Sequence, residues 1–450
     1  MRTVSPLSIS LSLVFSLIGL VLAWQIIIRS FADSFATSDP AFALSLAPEN
    51  SDALLNSIDD QLGIARNGTT PDPANAPKLS AAGEALTVAL RAKGIPAPLL
   101  PPETTPQVRE DLRQKARTVL LASPLDPRAL RILGQLSPTD ISAQPFMQAS
   151  TERSKHEILS NYWMLQRTFL NGDYRKSVEY ADILLRSQVH LVDFVAPILT
   201  RIAESKGGDL PVKQVLANDP PWRRAFLITM LPGITDARTP LNLMLDLQEH
   251  GMPPTTEELS NYLAFLMKNK LYDIAYYVWL QFLPPEQVNN VELLFNGQFR
   301  FNPSGLPFDW VFSNGGSMRS EIAEHPDRPG DHALFIEFVD GQVDNGAVKQ
   351  ITTLPPGAYT FTASEKGNIQ ARRGMRWKIA CVDNLTDVLG ESEAIAGMHR
   401  EWRPISVAFT VPANDCPAQQ VWLELDARTQ SERMVSGSGW FADLAIVKAP

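Results

Sequence analysis

At 450 residues and 44% hydrophobic content, the chain exceeds what one hydrophobic core supports, so two or three domains are expected. A net charge of −9, a pI near 5.3 and no basic run exclude the clustered Lys/Arg surface that phosphate neutralisation needs, so no nucleic-acid partner is expected. Thirty-five prolines imply many element boundaries, and two cysteines exclude a disulfide scaffold.

Leu7 to Ile28 is a run of 22 residues without a charge. As a helix it measures about 33 Å, enough to cross the hydrocarbon core of a bilayer once. Val21-Leu22-Ala23 also offers a cleavage site of the signal-peptide kind, but the apolar run continues through Trp24 to Ile28, beyond the length of an ordinary signal core. The reading is an anchor with Trp24 at the interface. Arg2 and Arg29 nearly balance across it; we place the amino terminus inside and the bulk of the chain outside, in the periplasm or exterior, on a single-pass inner-membrane anchor.

From Asp33 to about Asn290 the chain reads as helices separated by Pro- and Asp-rich turns. Asn50-Ser51-Asp52-Ala53-Leu54-Leu55 and Asp126-Pro127-Arg128-Ala129-Leu130 have the same construction, a turn followed by an Ala-Leu restart. A helix through Tyr162, Leu165 and Phe169 leads to Asn171-Gly172-Asp173-Tyr174 and a helix carrying Val178, Ala181 and Leu184. A helix through Leu259, Tyr262 and Phe265 leads to Asn269-Lys270-Leu271-Tyr272 and a helix carrying Ala275 and Val278. Asn67 to Pro106 interrupts the series, with one short helix expected at Leu79 to Lys93. The small residues, the aromatic after the turn and the Pro-containing boundaries resemble tetratricopeptide repeats. That resemblance implies stacked helix pairs, a concave groove and a protein partner in it. Tyr162, Trp163, Tyr272, Tyr276 and Tyr277 at helical spacing read as inter-helix packing.

After Glu292 to Phe312 the period changes to two. Leu293 to Phe299 is expected to begin the first strand. Ala333–Phe338, Ala347–Leu354, Tyr359–Ser364, Met375–Val382, Ile405–Val411, Val421–Ala427 and Trp440–Val447 alternate apolar with polar, which predicts a β-sandwich. Trp377, Ile379 and Cys381 share an inner face, as do Ile405, Val407, Phe409 and Val411, and Val421, Leu423 and Leu425. Trp310, Trp377 and Trp440 are assigned to the core, Trp422 to the opposite face. Asn296-Gly297-Gln298-Phe299, Pro307-Phe308-Asp309-Trp310 and Trp440 to Ile446 together resemble jelly-roll carbohydrate-binding modules. The resemblance implies glycan binding, and a structural calcium held in part by Asp443.

Sugar binding needs a flat aromatic face plus planar polar groups for hydroxyls. Trp422 and Trp402 are the outward aromatics, with Arg376 and Lys378 as charges for an anionic glycan, opposed by Glu424 and Asp426. Cys381 and Cys416 either pair or remain buried thiols; an exported chain favours the disulfide. The six histidines show no metal-ligand spacing, and no phosphate loop or Gly-x-Ser-x-Gly is present. Glu391 and Glu393 read as a surface loop. The expected organisation is an anchor (1–32), a tetratricopeptide-like helical solenoid (33–290) and an antiparallel jelly-roll sandwich (291–450). The expected function is an exported scaffold, not an enzyme, that recruits a protein and binds polysaccharide. A sugar-free assembly factor and a polysaccharide-modifying enzyme are the alternatives.

Overall fold

The computed structural model describes residues 6–62, 64, 105–313, 317–343 and 348–449, so the helix expected at Leu79 to Lys93 lies outside the described residues. Helix starts follow the turn chemistry of the sequence. The Asn50 side chain accepts from Ala53 N to open Ser51–Gln61, and Asp126 accepts from Arg128 and Ala129 N to open Pro127–Gln135. Thr255 and Glu258 form a reciprocal capping box on Thr256–Lys268. Each supplies an acceptor to first-turn amides that lack a helical partner, with proline commonly at the first helical position.

The chain forms two compact units, Met1–Thr239 and Pro240–Pro450. Among the described residues of the first, helices run from Pro6–Phe35 through Pro40–Leu46, Ser51–Gln61, Pro106–Ala122, Pro127–Gln135, Asp140–Arg153, Ile158–Leu170, Tyr174–Ser187, Val192–Ala203 and Asp209–Leu216 to Arg223–Thr229. Phe15–Phe35 is long and apolar enough to cross a membrane, with a mean hydropathy of 1.8. One core holds Leu54, Leu55, Ile58, Leu112, Ala116, Ile132 and Leu133.

The second unit contains helices Thr256–Lys268 and Tyr272–Gln281 together with the strands, so compactness divides some fifty residues before the hydrophobic period changes. The reason is aromatic packing. Tyr276 and Trp279 lie 5.3 and 5.8 Å from Phe308, Trp279 lies 4.9 Å from Phe295, and the Tyr272 hydroxyl donates to Asp383 at 2.5 Å.

The strands are β1 (Val311–Phe312), β2 (Met318–Glu324), β3 (His332–Gln342), β4 (Val348–Thr352), β5 (Gly357–Ala371), β6 (Met375–Cys381), β7 (Val388–Glu391), β8 (Gly397–Val411), β9 (Gln419–Leu425) and β10 (Met434–Lys448). They form two five-stranded antiparallel sheets, β1-β4-β9-β6-β7 and β2-β3-β10-β5-β8, which is a β-sandwich. All seven expected strands are present, and the inner faces are those read from the alternation. Leu293 to Phe299 is instead a turn: Asn296 and Phe299 take φ of 52° and 51°, left-handed values that no strand accommodates. The turn holds because Asn296 bonds Phe301 N and O through its side chain while its carbonyl accepts from the Trp310 indole.

An aromatic chain fills the core. Phe299, Trp310 and Trp377 follow one another at 5.7 and 6.0 Å, and Phe361 and Phe441 flank Trp377 at 5.2 and 5.9 Å. Cys381 and Cys416 form the expected disulfide, with Cα atoms 5.1 Å apart at the edge of this core.

Trp440 corrects the core assignment. Phe441 is buried at 0% exposure, and Trp440 is half-buried on the outer face against Phe335. Counting back by twos from the buried Ile446 and Leu444 predicts Trp440 inside. A register shift between Ala442 and Ala445, with Asp443 at φ 54°, inserts one residue and reverses the phase.

Candidate functional site

The outer face of the first sheet closes on itself. Trp422 lies beside Lys349 and Lys378 on neighbouring strands, turned from the core as expected, yet it is only 6% exposed and its indole N–H donates to Glu424 at 2.7 Å. Its ring is therefore not offered to a ligand, which corrects its role as a sugar platform. Lys378 is paired with Glu424 at 2.7 Å. Arg376 is paired with Asp426 at 3.2 Å and donates to Ser392 O at 2.6 Å. Burial pushes the Asp426 carboxyl up, but Arg373 and Arg376 outweigh it and hold the group below the usual carboxylate range. The charges expected to meet an anionic glycan are engaged by internal partners.

Asp443 does not fit a calcium ligand. Both of its carboxylate oxygens accept from Arg328, at 2.9 and 3.1 Å, so a fixed guanidinium already neutralises them. Asp443 serves the fold instead, because its bulge presents Leu444 O to Gly297. A Cβ on Gly297 would stand 1.9 Å from that oxygen, so only glycine closes the Asn296 turn against the last strand.

The second sheet is the open one. Register places Phe335, Trp440 and Lys366 side by side on β3, β10 and β5, with the Phe335 and Trp440 rings 4.6 Å apart. Beyond Lys366 the pairing of β5 with β8 jumps from Glu365–Arg403 to Gly367–His399, and Arg400, Glu401 and Trp402 bulge outward. Trp402 is half-buried; its indole N–H donates to Asp327 Oδ2 at 2.8 Å, and its ring stacks on His325 at 4.7 Å and 22°. Lys366 donates to the same oxygen at 2.7 Å. The hydrogen bonds from Lys366 and Trp402 hold the Asp327 carboxyl below its ordinary value.

Beside Trp402 opens a depression of about 490 Å³ lined by Met398, His399, Arg400, Glu401 and Arg403, with Arg400 and Glu401 exposed at its rim. Beneath it Glu365 is 2% exposed, and it accepts from Arg403 Nε at 2.6 Å and meets His399 Nδ1 at 2.9 Å. A buried carboxylate is tolerated there because two basic groups replace its water. The arrangement presents a rigid aromatic plate, fixed at its N–H, next to planar donors and acceptors. It can pack against an apolar sugar face while bonding hydroxyls.

Of the sequence-derived candidates Trp402 lies at this surface and Asp443 joins it through Arg328, whose Nε points to His325 Nε2 at 3.1 Å; Trp422, Arg376 and Lys378 belong to strands of the other sheet. Phe335 and Lys366 were legible in principle, since each occupies the polar phase of a strand whose other phase is core. Asp327 and His325 lie in a loop and carry no periodic signal.

No protein-family model and no curated protein matches the chain. Among solved structures the chain is similar to a CBM4 module, at 15% identity over 35% of this chain and 99% of that one, with a TM-score of 0.26. It is also similar to TmCBM61 in complex with β-1,4-galactotriose, at 14% identity, 35% and 99% coverage and a TM-score of 0.24. A third is a cyclase from Fischerella sp. TAU, at 12% identity, 32% and 74% coverage and a TM-score of 0.22. These neighbours, binding modules and an enzyme alike, carry no ligand across to this chain.

Proposed function

We propose that the protein is a membrane-anchored, exported binding scaffold whose β-sandwich holds a glycan on the outer face of the second sheet, at Trp402. The observation that carries this reading is the partly exposed Trp402 ring, locked by Asp327 and His325 at the mouth of a depression rimmed by Arg400 and Glu401. Phe335 and Trp440 extend the aromatic surface along the same face. The buried carboxylate below, Glu365, is ion-paired with Arg403 and in contact with His399, and is not aimed across a cleft at a second acid, which supports binding over catalysis. The apolar helix Phe15–Phe35 supports the anchor and the inner-membrane location. The recurring helix-turn-helix units support a repeat-type array that recruits a protein partner.

Affinity gel electrophoresis of the full chain in detergent, across neutral and acidic polysaccharides, tests the glycan reading. Wild type is retarded by at least one of them, Trp402→Ala weakens the retardation about tenfold or more, and Tyr277→Ala, which removes an exposed ring from helix Tyr272–Gln281, leaves it unchanged. Failure of every polysaccharide to retard wild type, or equal retardation of Trp402→Ala, overturns it.

A further inference from the structure

The apolar N-terminal segment runs into the folded helical unit as one uninterrupted helix, Pro6–Phe35. Along it the environment switches within a single turn. Trp24, Ile26, Ile27 and Phe31 are 64%, 68%, 52% and 57% exposed, whereas Ala32 and Ala36 are 0% and 2% exposed. Those two alanines pack with Ala43 and Ala53 of the next two helices, small residues that let the backbones approach closely. Phe35 meets Phe42 edge-on at 5.1 Å.

Polar groups clamp the same junction. Asn50 caps helix Ser51–Gln61 with its side-chain oxygen and donates from its nitrogen to Asp33 at 2.6 Å. The buried Asn56 donates to Ala36 O at 2.9 Å, and its own oxygen accepts from Arg128. Arg128 also bonds Asp59, which pairs with Arg131, which pairs with Glu157. The end of the apolar helix is thereby tied through buried charges to helices about a hundred residues further on.

We propose that Pro6–Phe35 is a rigid, uncleaved stem whose partner is the lipid bilayer, so that the helical unit stands directly on the membrane surface without a linker. This rests on the anchor reading above and adds geometry to it. The uncharged run ends at Ile28 and the first packed residue is Ala32, four residues or about 6 Å later. Cleavage after Ala23 would instead leave a docked stub exposing Trp24, Ile26, Ile27 and Phe31 to water, an apolar patch that a soluble unit does not tolerate well.

Two measurements on the full chain separate the proposal from the reading beneath it. Intact mass of protein recovered from bacterial membranes is expected to retain the residues before Ala23; a soluble chain beginning at Trp24 overturns anchor and stem together. Spin labels at Gln25→Cys and Glu49→Cys, in lipid nanodiscs, are expected to give a single narrow distance distribution, the native cysteines being bonded to each other. Ala36→Trp, or Asn50→Ala where the tryptophan variant does not fold, is expected to lose that narrow peak. A broad distribution in the otherwise native chain overturns the rigid stem and leaves the anchor standing.

Discussion

His325 supports Trp402 from behind, and its charge state sets that support. The ring is 4% exposed; Asp327 N points to Nδ1 at 3.2 Å and Arg328 Nε to Nε2 at 3.1 Å. A neutral imidazole offers one lone pair, so one of the two bonds holds at a time and an imidazolium keeps neither. Burial, followed by the adjacent Arg328, holds the His325 pKa below its ordinary value against the pull of Asp443, Asp327 and Asp331. The unfolded chain therefore binds the proton first, near pH ~6.5. The contribution of neutral His325 is complete above that pH and is lost as pH falls through the folded value. We expect polysaccharide retardation and the thermal midpoint of wild type both to decline on acidification below about pH 6.5. His325→Gln, measured in the same titration, should flatten both curves.

At the scale of elements, two bulges determine the candidate surface. The β10 bulge at Asp443 turns Trp440 outward, and the β8 bulge at Arg400 to Trp402 lifts Trp402 off the sheet. Gly367 opposes the second bulge, where a Cβ would come within 2.5 Å of Ser438 O. The disulfide acts at the other sheet, joining the end of β6 to the turn before β9 across 35 residues. Loop closure of that length stabilises by about 3 to 4 kcal/mol. Reduction, or the paired substitution Cys381→Ala with Cys416→Ala, should lower the denaturant-unfolding free energy of the sandwich by about that amount, read from the near-UV signal of its core tryptophans. Cys416 O also accepts from Gln419, so the paired variant measures the bond best when the backbone turn is left intact.

For the molecule as a whole, the helical unit depends on a buried ion network and the sandwich on an aromatic core. Arg131, 2% exposed, pairs with Asp59 at 2.6 Å and Glu157 at 2.8 Å. Burial raises the Glu157 pKa and Arg131 opposes that rise. Arg131→Met should cost about 3 kcal/mol at neutral pH, because Glu157 loses its counter-charge and the buried Asp59 keeps only Arg128. Glu157 then favours its protonated form still more in the folded state than in the unfolded one. The penalty, followed by helical circular dichroism during melting, should shrink as the pH is lowered into the carboxylate range.

The order of helix then strand, the turn residues that open each helix, the seven strands and the inner faces all followed from local pattern, because period, capping and alternation are properties of neighbouring residues. The disulfide was one of two readings of the cysteine positions, and the fold brings Cys381 and Cys416 together. Trp422 and Trp440 exchanged roles because burial on an outer face and phase across a bulge depend on segments distant in sequence. The partners of Arg376, Lys378 and Asp443 were likewise settled by strands and loops brought together only on folding. The same holds for Trp402: alternation suggested that it faces outward, but only the tertiary contacts with Asp327 and His325 made it a fixed plate beside a depression.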